Sequence, residues 1–298
     1  MAHSTESVSR SRRLLADLVL LFAAVVWGSA FSAQRVAAAH LGSFLYNGLR
    51  FLAAVIALSL VGRGAWRRVS RVEWRSGAIA GVLLASAATL QQAGLIFTTA
   101  GKAGFITSLY VVLVPVLLAL VWKHRLPWTS WVASAIAVLG LFLLSLPESS
   151  ALNAGDGLEL VGAGLWALHV IWIGRVSGRL DTLRLSLVQY LVCGVLCLAL
   201  GLAFEADTLG GLSTAWWTVA YGGLISVGLG YTLQVYGQKV APPADAAVLL
   251  STEAVFAAIF GWLLLGEVLS GRELVGCALM LAGMFWVQLP ALRQGQRE

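Results

Sequence analysis

The chain has little charge. Only 11% of its 298 residues are Asp, Glu, Lys or Arg, against about 25% in an ordinary soluble domain. With 59% apolar residues and a mean hydropathy of +0.85, that scarcity excludes a water-soluble globule of this size, which needs a far more polar exterior. It excludes a disordered chain too, because disorder goes with low hydrophobicity. Cysteine is scarce as well. Cys193, Cys197 and Cys277 all sit inside apolar runs, with no CxxC, so no disulfide framework is expected and the three read as packing residues. There is no HExxH, no GxSxG and no Asp-rich cluster, so the usual constellations of membrane-embedded enzymes are missing and no metal or cofactor is implied. A polar stripe or filter ring of the kind that lines a passive channel is missing too.

What is abundant is tryptophan (12), glycine (32) and long apolar runs. Together they mark a polytopic membrane protein. About 20 apolar residues cross roughly 30 Å of hydrocarbon as a helix. Runs of that kind cover residues 14-34, 41-61, 74-95, 101-121, 128-146, 157-174, 183-203, 214-236, 243-265 and 271-289. They are continuous and too long for barrel strands, so the expected fold class is all-α integral membrane with ten transmembrane helices. Arg10, Arg12 and Arg13 followed by a run ending Ser29-Ala30-Phe31-Ser32-Ala33-Gln34 mimic a signal peptide. The run is longer than such a region, and we read it as an uncleaved first span.

The net charge of +6 is no nucleic-acid signal, because the bases fall in short loops. With ten spans and an inside N-terminus, 16 of the 20 Lys and Arg residues lie on the cytoplasmic side, among them Arg63, Arg67, Arg68, Arg71, Lys123, Arg175 and Arg179. Arg35, Lys102 and Arg272 fall outside and Arg50 lies within a span. This asymmetry predicts a multi-pass protein of the cell inner membrane with both termini cytoplasmic.

The chain also repeats itself. Shifted by 143 residues, 90-146 lies on 233-289 without a gap and with 13 identities in 57 positions, where shared composition gives roughly one in ten. Leu90-Gln91 meets Leu233-Gln234, Ser108 meets Ser251 and Gly140 meets Gly283. The expected organisation is a cytoplasmic tail at 1-13, a first repeat at 14-146, a second at 157-289 and a cytoplasmic tail at 290-298. Five spans per repeat, an odd number, enter the membrane upside down relative to each other. Two inverted bundles are the layout of many secondary transporters, whose site lies between the halves near mid-depth.

Leu249-Leu250-Ser251-Thr252-Glu253-Ala254-Val255-Phe256, followed by Gly261-Trp262-Leu263-Leu264-Leu265-Gly266-Glu267 and a glycine-bearing last helix through Gly276 and Gly283, resembles the EamA-type transporters of the drug/metabolite transporter superfamily. Trp27-Gly28-Ser29-Ala30-Phe31, Leu49-Arg50-Phe51 and Val114-Pro115-Val116 fit the same pattern, while Lys123-His124-Arg125 departs from it by replacing Gly-Glu. The resemblance implies a proton- or gradient-coupled carrier, often an exporter, with both termini cytoplasmic.

The polar groups inside the spans are the candidate site. Arg50 would cost at least ~2.5–3.5 kcal/mol if it faced lipid unpaired, so it is expected to face the bundle interior. There it either anchors a substrate carboxylate through its bidentate fork or serves structure. Asn47, three residues earlier, shares its face. Glu253 reads as the only acid deep in a span. It is a candidate for proton coupling or for binding an amine, the alternatives being a neutral partner of a neighbouring helix or an ion pair with Arg50. Gln91 and Gln234 are repeat-equivalent amides, either substrate contacts or interhelical bonds. Trp27, Tyr46, Trp166, His169 and Tyr190 complete the candidate substrate-binding set, and Tyr231 is a further side chain suited to line a cavity, against the alternative of packing. Asp17 is placed at a helix N-terminus, and Pro115 is expected to kink its helix. The expected function is secondary active transport of a small metabolite, an amino acid or a related compound, with export as the direction and alternating access as the mechanism. A membrane-embedded enzyme or a passive channel is the alternative. The expected partners are the metabolite and the lipid bilayer, with no nucleic acid; monomer and homodimer both remain open.

Overall fold

The computed structural model describes residues 10–97, 100–145, 153–265 and 270–294, and every regular element among them is helical. The first helices are α1 (Arg10–Ala38), α2 (Ser43–Val61) and α3 (Arg71–Phe97). Two short collinear pieces follow, α4 (Ala100–Ser108) and α5 (Tyr110–Leu120), then α6 (Trp128–Ser145), α7 (Ala154–Val176) and α8 (Thr182–Phe204). Residues 212–237 form one unbroken helical run in three parts: α9 (Leu212–Tyr221), a π-helical stretch (Gly222–Tyr231) and α10 (Thr232–Gly237). The chain ends in α11 (Pro243–Ser251), α12 (Glu253–Leu265) and α13 (Gly271–Gln294).

Local chemistry sets where several helices begin. Ser70 and Glu73 form a reciprocal cap at the start of α3, with Ser70 N to Glu73 Oε2 at 2.7 Å and Glu73 N to Ser70 Oγ at 3.2 Å. Ser270 and Glu273 do the same for α13, and Asn153 and Asp156 for α7. Each such pair satisfies two amides that would otherwise lack partners. Pro243 occupies the first turn of α11, where a missing amide costs least.

Among the described residues, seven segments are long and apolar enough to cross a membrane: Ser11–Ala38, Ser43–Val61, Arg71–Phe97, Ala103–Leu120, Ala154–Arg179, Thr182–Phe204 and Pro243–Phe260, with Trp128–Leu143 a shorter apolar helix. The protein is therefore a multi-pass membrane protein. Leu18, Phe22, Ile56, Leu60, Phe204 and Phe285 stand exposed on its outside, as a lipid-facing surface requires. The remaining expected spans coincide with α6, the run 212–237 and α13, which are helical but lie outside those seven.

Packing joins the two halves of the chain. α6 lies along α13, α2 along α8, and α3 against both α7 and α8, while α1 packs on α12 and on the π-helical stretch. Glycine permits the closest of these crossings. A Cβ on Gly140 would stand 2.6 Å from the Gly276 carbonyl oxygen, and one on Gly283 would stand 3.0 Å from that of Ala133. The interior packs Leu20, Phe51, Leu84, Val114, Tyr190, Tyr231 and Leu249 into one cluster.

One expectation needs correction. Asp17 is not in the first turn of its helix, because α1 begins at Arg10. It is held instead by Arg13, whose Nε lies 3.1 Å from Asp17 Oδ1 and whose Nη2 lies 2.7 Å from Asp245 Oδ2 of α11. Ser130 of α6 donates to the same Asp245 at 3.3 Å, so three helices are tied at this end. At the other end of α1, Arg35 donates to the Leu95 carbonyl of α3. The helix that carries Pro115 is in two pieces. Its α-helical pattern is interrupted at Leu109, between α4 and α5, and Pro115 lies within α5.

Candidate functional site

A cavity of about 460 Å³ of empty space, counted to its open side, lies where α1 to α5, α7, the π-helical stretch and α10 to α12 converge. Of the expected site residues, Trp27, Arg50, Gln91, Trp166, Gln234 and Glu253 line it. Arg50 is almost wholly buried. Its Nε donates to Asn47 Oδ1 at 2.9 Å, and its guanidinium carbon lies 5.0 Å from the Tyr46 ring centroid and 5.3 Å from that of Phe51. Such contacts hold a guanidinium by its faces and leave its edge available. Tyr46 and Asn47 thus act on the cavity through Arg50. Tyr46 itself donates to the Thr218 carbonyl at 3.3 Å.

Glu253 opens α12 directly after the interruption at Thr252. Its Oε1 accepts from Tyr110 Oη at 3.3 Å. No ion pair joins Glu253 to Arg50, and neither has an oppositely charged partner among the described residues. One cavity therefore holds a cation and an acid that do not neutralise each other.

Between these charges stands an aromatic wall. The Tyr231 ring centroid lies 4.6 Å from that of Trp27 and 5.8 Å from that of Trp166, nearly parallel to the latter at 13°. Trp27 Nε1 donates to the Ser226 carbonyl at 3.0 Å, across to the π-helical stretch, and Trp166 Nε1 donates to Gln91 Oε1 at 2.9 Å. Gln91 Nε2 in turn reaches Gln34 Oε1 at 3.4 Å. Both indole N–H groups are thus satisfied, which fixes those two rings in place. Gln234 Oε1 has no hydrogen-bond partner.

His169 and Tyr190 do not line the cavity; they stand behind it. His169 is fully buried, with Nε2 3.1 Å from Gln189 Oε1 and its ring edge-on to Tyr231. Tyr190 shares a hydrogen bond with Thr232 Oγ1 at 3.0 Å. Tyr231 lines the cavity as well, and Phe31, Gln34, Thr107, Tyr110 and Ser226 line it outside the expected residues. The repeat signals one of them: Tyr110 sits at the position equivalent to Glu253. Glu253 is also not the sole acid within a helix interior. Glu159 of α7 is completely buried, accepting from Thr107 Oγ1 at 2.8 Å. No cluster of His, Cys, Asp or Glu among the described residues is arranged to hold a metal.

Comparison with known proteins gives this architecture a family. The model of the EamA-like transporter family matches residues 14–146 and 153–289. An uncharacterized transporter of Archaeoglobus fulgidus is 30% identical over 282 residues, covering 93% of this chain and 87% of that protein. The threonine/homoserine exporter RhtA of Salmonella typhimurium is 29% identical over 163 residues, 52% of each chain. A crystal structure at 19% identity covers 96% of this chain and 99% of its own with a TM-score of 0.76, a likeness of fold. The relatives are named as transporters rather than enzymes, and transport implies a small-molecule substrate. The chain belongs to the EamA-like transporter family.

Proposed function

We propose that the protein is a secondary active carrier of small zwitterionic metabolites, amino acids or close relatives, exporting them across the inner membrane by alternating access. The observation that carries this reading is the pair Arg50 and Glu253, which face one cavity without opposite charges of their own. A substrate bearing a carboxylate and an ammonium group would supply both missing partners at once. Leaving either charge alone away from water is costly. The aromatic wall of Trp27, Trp166 and Tyr231 then receives the substrate's remaining carbon skeleton. The name of RhtA, an exporter of threonine and homoserine, agrees in substrate class and direction.

The architecture in this reading is ten spans in two inverted five-helix repeats. Three features support it. The interruptions at Leu109 and Thr252 are 143 positions apart, the offset of the sequence repeat. A Cβ on Gly140 would meet Gly276 and Met280, and one on Gly283 would meet Ala133 and Ala137; adding 143 to 133, 137 and 140 gives 276, 280 and 283. Those exchanged contacts require α6 and α13 to run antiparallel, as equivalent helices in inverted halves must. Finally, Tyr110 touches Glu253. Equivalent positions of two repeats meet only at the axis relating them, so that axis passes through the cavity wall. Such an arrangement provides two related conformations, one open to each side. The charge asymmetry of the loops puts both termini in the cytoplasm.

The test is ligand stabilisation of the protein in lipid nanodiscs. L-threonine, a zwitterion, should raise Tm more than propionate or propylamine, each carrying only one of its charges. In Glu253→Gln the advantage over propionate should vanish. Equal shifts for all three probes in the wild type would overturn the reading.

A further inference from the structure

Glu159 is a buried acid that the substrate scheme above leaves unused. It lies in α7, one turn beyond the Asn153–Asp156 cap, with no exposed surface. No cation pairs with it among the described residues. Its Oε2 accepts from Thr107 Oγ1 at 2.8 Å, and its Oε1 has no hydrogen-bond partner among the described residues. Thr107 itself lines the cavity. Three residues further along the same chain, Tyr110 lines it too and donates to Glu253. Two acids of the second half, one behind the cavity wall and one in it, thus each accept from a cavity-lining hydroxyl of α4 or α5.

The surroundings leave Glu159 isolated but not cramped. α3, α4, α5 and α11 pack on α7. From α3 its neighbour is Gly94, where a Cβ would come within 2.7 Å of Glu159 Oε1, so the absent side chain is what gives the carboxyl its room. α4 contributes Thr107 and α5 carries Tyr110. Arg35 of α1 is bound to the Leu95 carbonyl next to Gly94. The acid on α11, Asp245, is bound to Arg13, and on α7 itself the charged neighbour is Asp156. The side chain of Lys102, in the first turn of α4, lies outside the described residues.

We propose that Glu159 is a second proton-carrying carboxyl of the transport cycle, loaded from the cavity and unloaded into it through the Thr107 hydroxyl. This inference rests on the carrier reading above. In the loading step a proton from a donor in the cavity binds the Thr107 Oγ1 lone pair. The hydroxyl's own proton passes along the existing hydrogen bond to Glu159 Oε2. The carboxylate becomes a carboxylic acid, the threonine is restored, and one proton has moved. With the coupling proton held at Glu159, Glu253 remains free to hold a substrate ammonium group, so the two cations do not compete for one carboxyl.

The experiment uses the full chain reconstituted in liposomes and has two arms. In the first, infrared difference spectra follow protonated-carboxyl C=O stretches across a pH titration without substrate. A band that titrates in the wild type should be absent in Glu159→Gln, present in Glu253→Gln, and shifted in frequency in Thr107→Val. In the second, net uptake of labelled L-threonine driven by a proton gradient should fall at least tenfold in Glu159→Gln, while exchange of labelled for unlabelled L-threonine still proceeds. Thr107→Ser should retain net uptake that Thr107→Val loses. A Glu159 band that never titrates, or equal loss of net uptake and exchange in Glu159→Gln, would overturn the proposal. If the wild type exchanges no L-threonine, the amino-acid reading fails, and the spectra still decide the role of Glu159.

Discussion

The interrupted helices α4–α5 and α11–α12 share a backbone plan and differ in chemistry. Each is interrupted after a serine, Ser108 in one and Ser251 in the other. The next element begins with Tyr110 in one case and Glu253 in the other. The same contrast runs through α2 and α8. Leu45, Gly48 and Leu52 recur 146 positions later as Leu191, Gly194 and Leu198. A Cβ on Gly48 would meet Leu198 and one on Gly194 would meet Leu52. Arg50, however, has Leu196 as its counterpart. Packing is therefore shared between the halves while each cavity charge belongs to one of them. The shape of the site depends on what the halves have in common, and its selectivity on where they differ.

The largest effect should come from erasing one difference. Arg50→Leu gives the first half the residue of the second. It removes charge-assisted hydrogen bonds to a bound carboxylate worth about 1.5–3 kcal/mol, so affinity for L-threonine should fall roughly ten- to hundredfold, read by calorimetry in nanodiscs. An unchanged affinity would show that the carboxylate lies elsewhere. Next come substitutions that disturb what is common. Gly140→Ala drives a Cβ into the Gly276 carbonyl at 2.6 Å, whereas Gly283→Ala meets the Ala133 carbonyl at 3.0 Å. The first should cost about 1–3 kcal/mol by overpacking and the second less, measured by reversible unfolding in mixed micelles. If Gly140→Ala costs nothing, α6 and α13 are not in close contact. Tyr110→Phe deletes the hydrogen bond to Glu253, worth about 1 kcal/mol, and should alter the pH dependence of uptake more than the stability of the protein. An unaltered profile would detach Tyr110 from the chemistry of Glu253.

The smallest effect concerns the loop in which the halves depart most. Lys123 has a left-handed backbone, φ 53°, at the position that aligns with Gly266. An L-residue there carries a strain of about 1–2 kcal/mol that glycine avoids, though glycine loses more entropy on folding. Lys123→Gly should therefore raise stability by a few tenths to about 1 kcal/mol with transport unchanged. A fall in Tm would show that the lysine side chain itself secures the turn.

Seven spans were legible because apolar runs of membrane length need no tertiary information. The interruptions at Leu109 and Thr252 were not, because neither residue is a helix breaker and the obvious one, Pro115, sits within α5. Sequence also reports depth better than direction. His169 and Tyr190 lie at depths suited to a cavity but face Gln189 and Thr232. Gln34 and Ser226 are modest polar residues on helices that carry stronger signals, and only packing turns them inward. Glu159 escaped notice because it falls near the start of its apolar run, where acids are ordinary. Its complete burial comes from α3 and α4 closing over that end.

The hydrogen bond between Tyr110 and Glu253 also bears on ancestry. Had two identical five-helix proteins paired in this way, a glutamate at that position would have confronted its own copy within hydrogen-bond distance. Two carboxyls so close persist only by sharing a proton. Gene fusion ends that constraint, since one copy can become tyrosine while the other stays acidic. Under the proposed inverted-repeat architecture, one double-length chain can thus hold a lone carboxyl on its pseudo-symmetry axis, which a homodimer of half-length chains can never do.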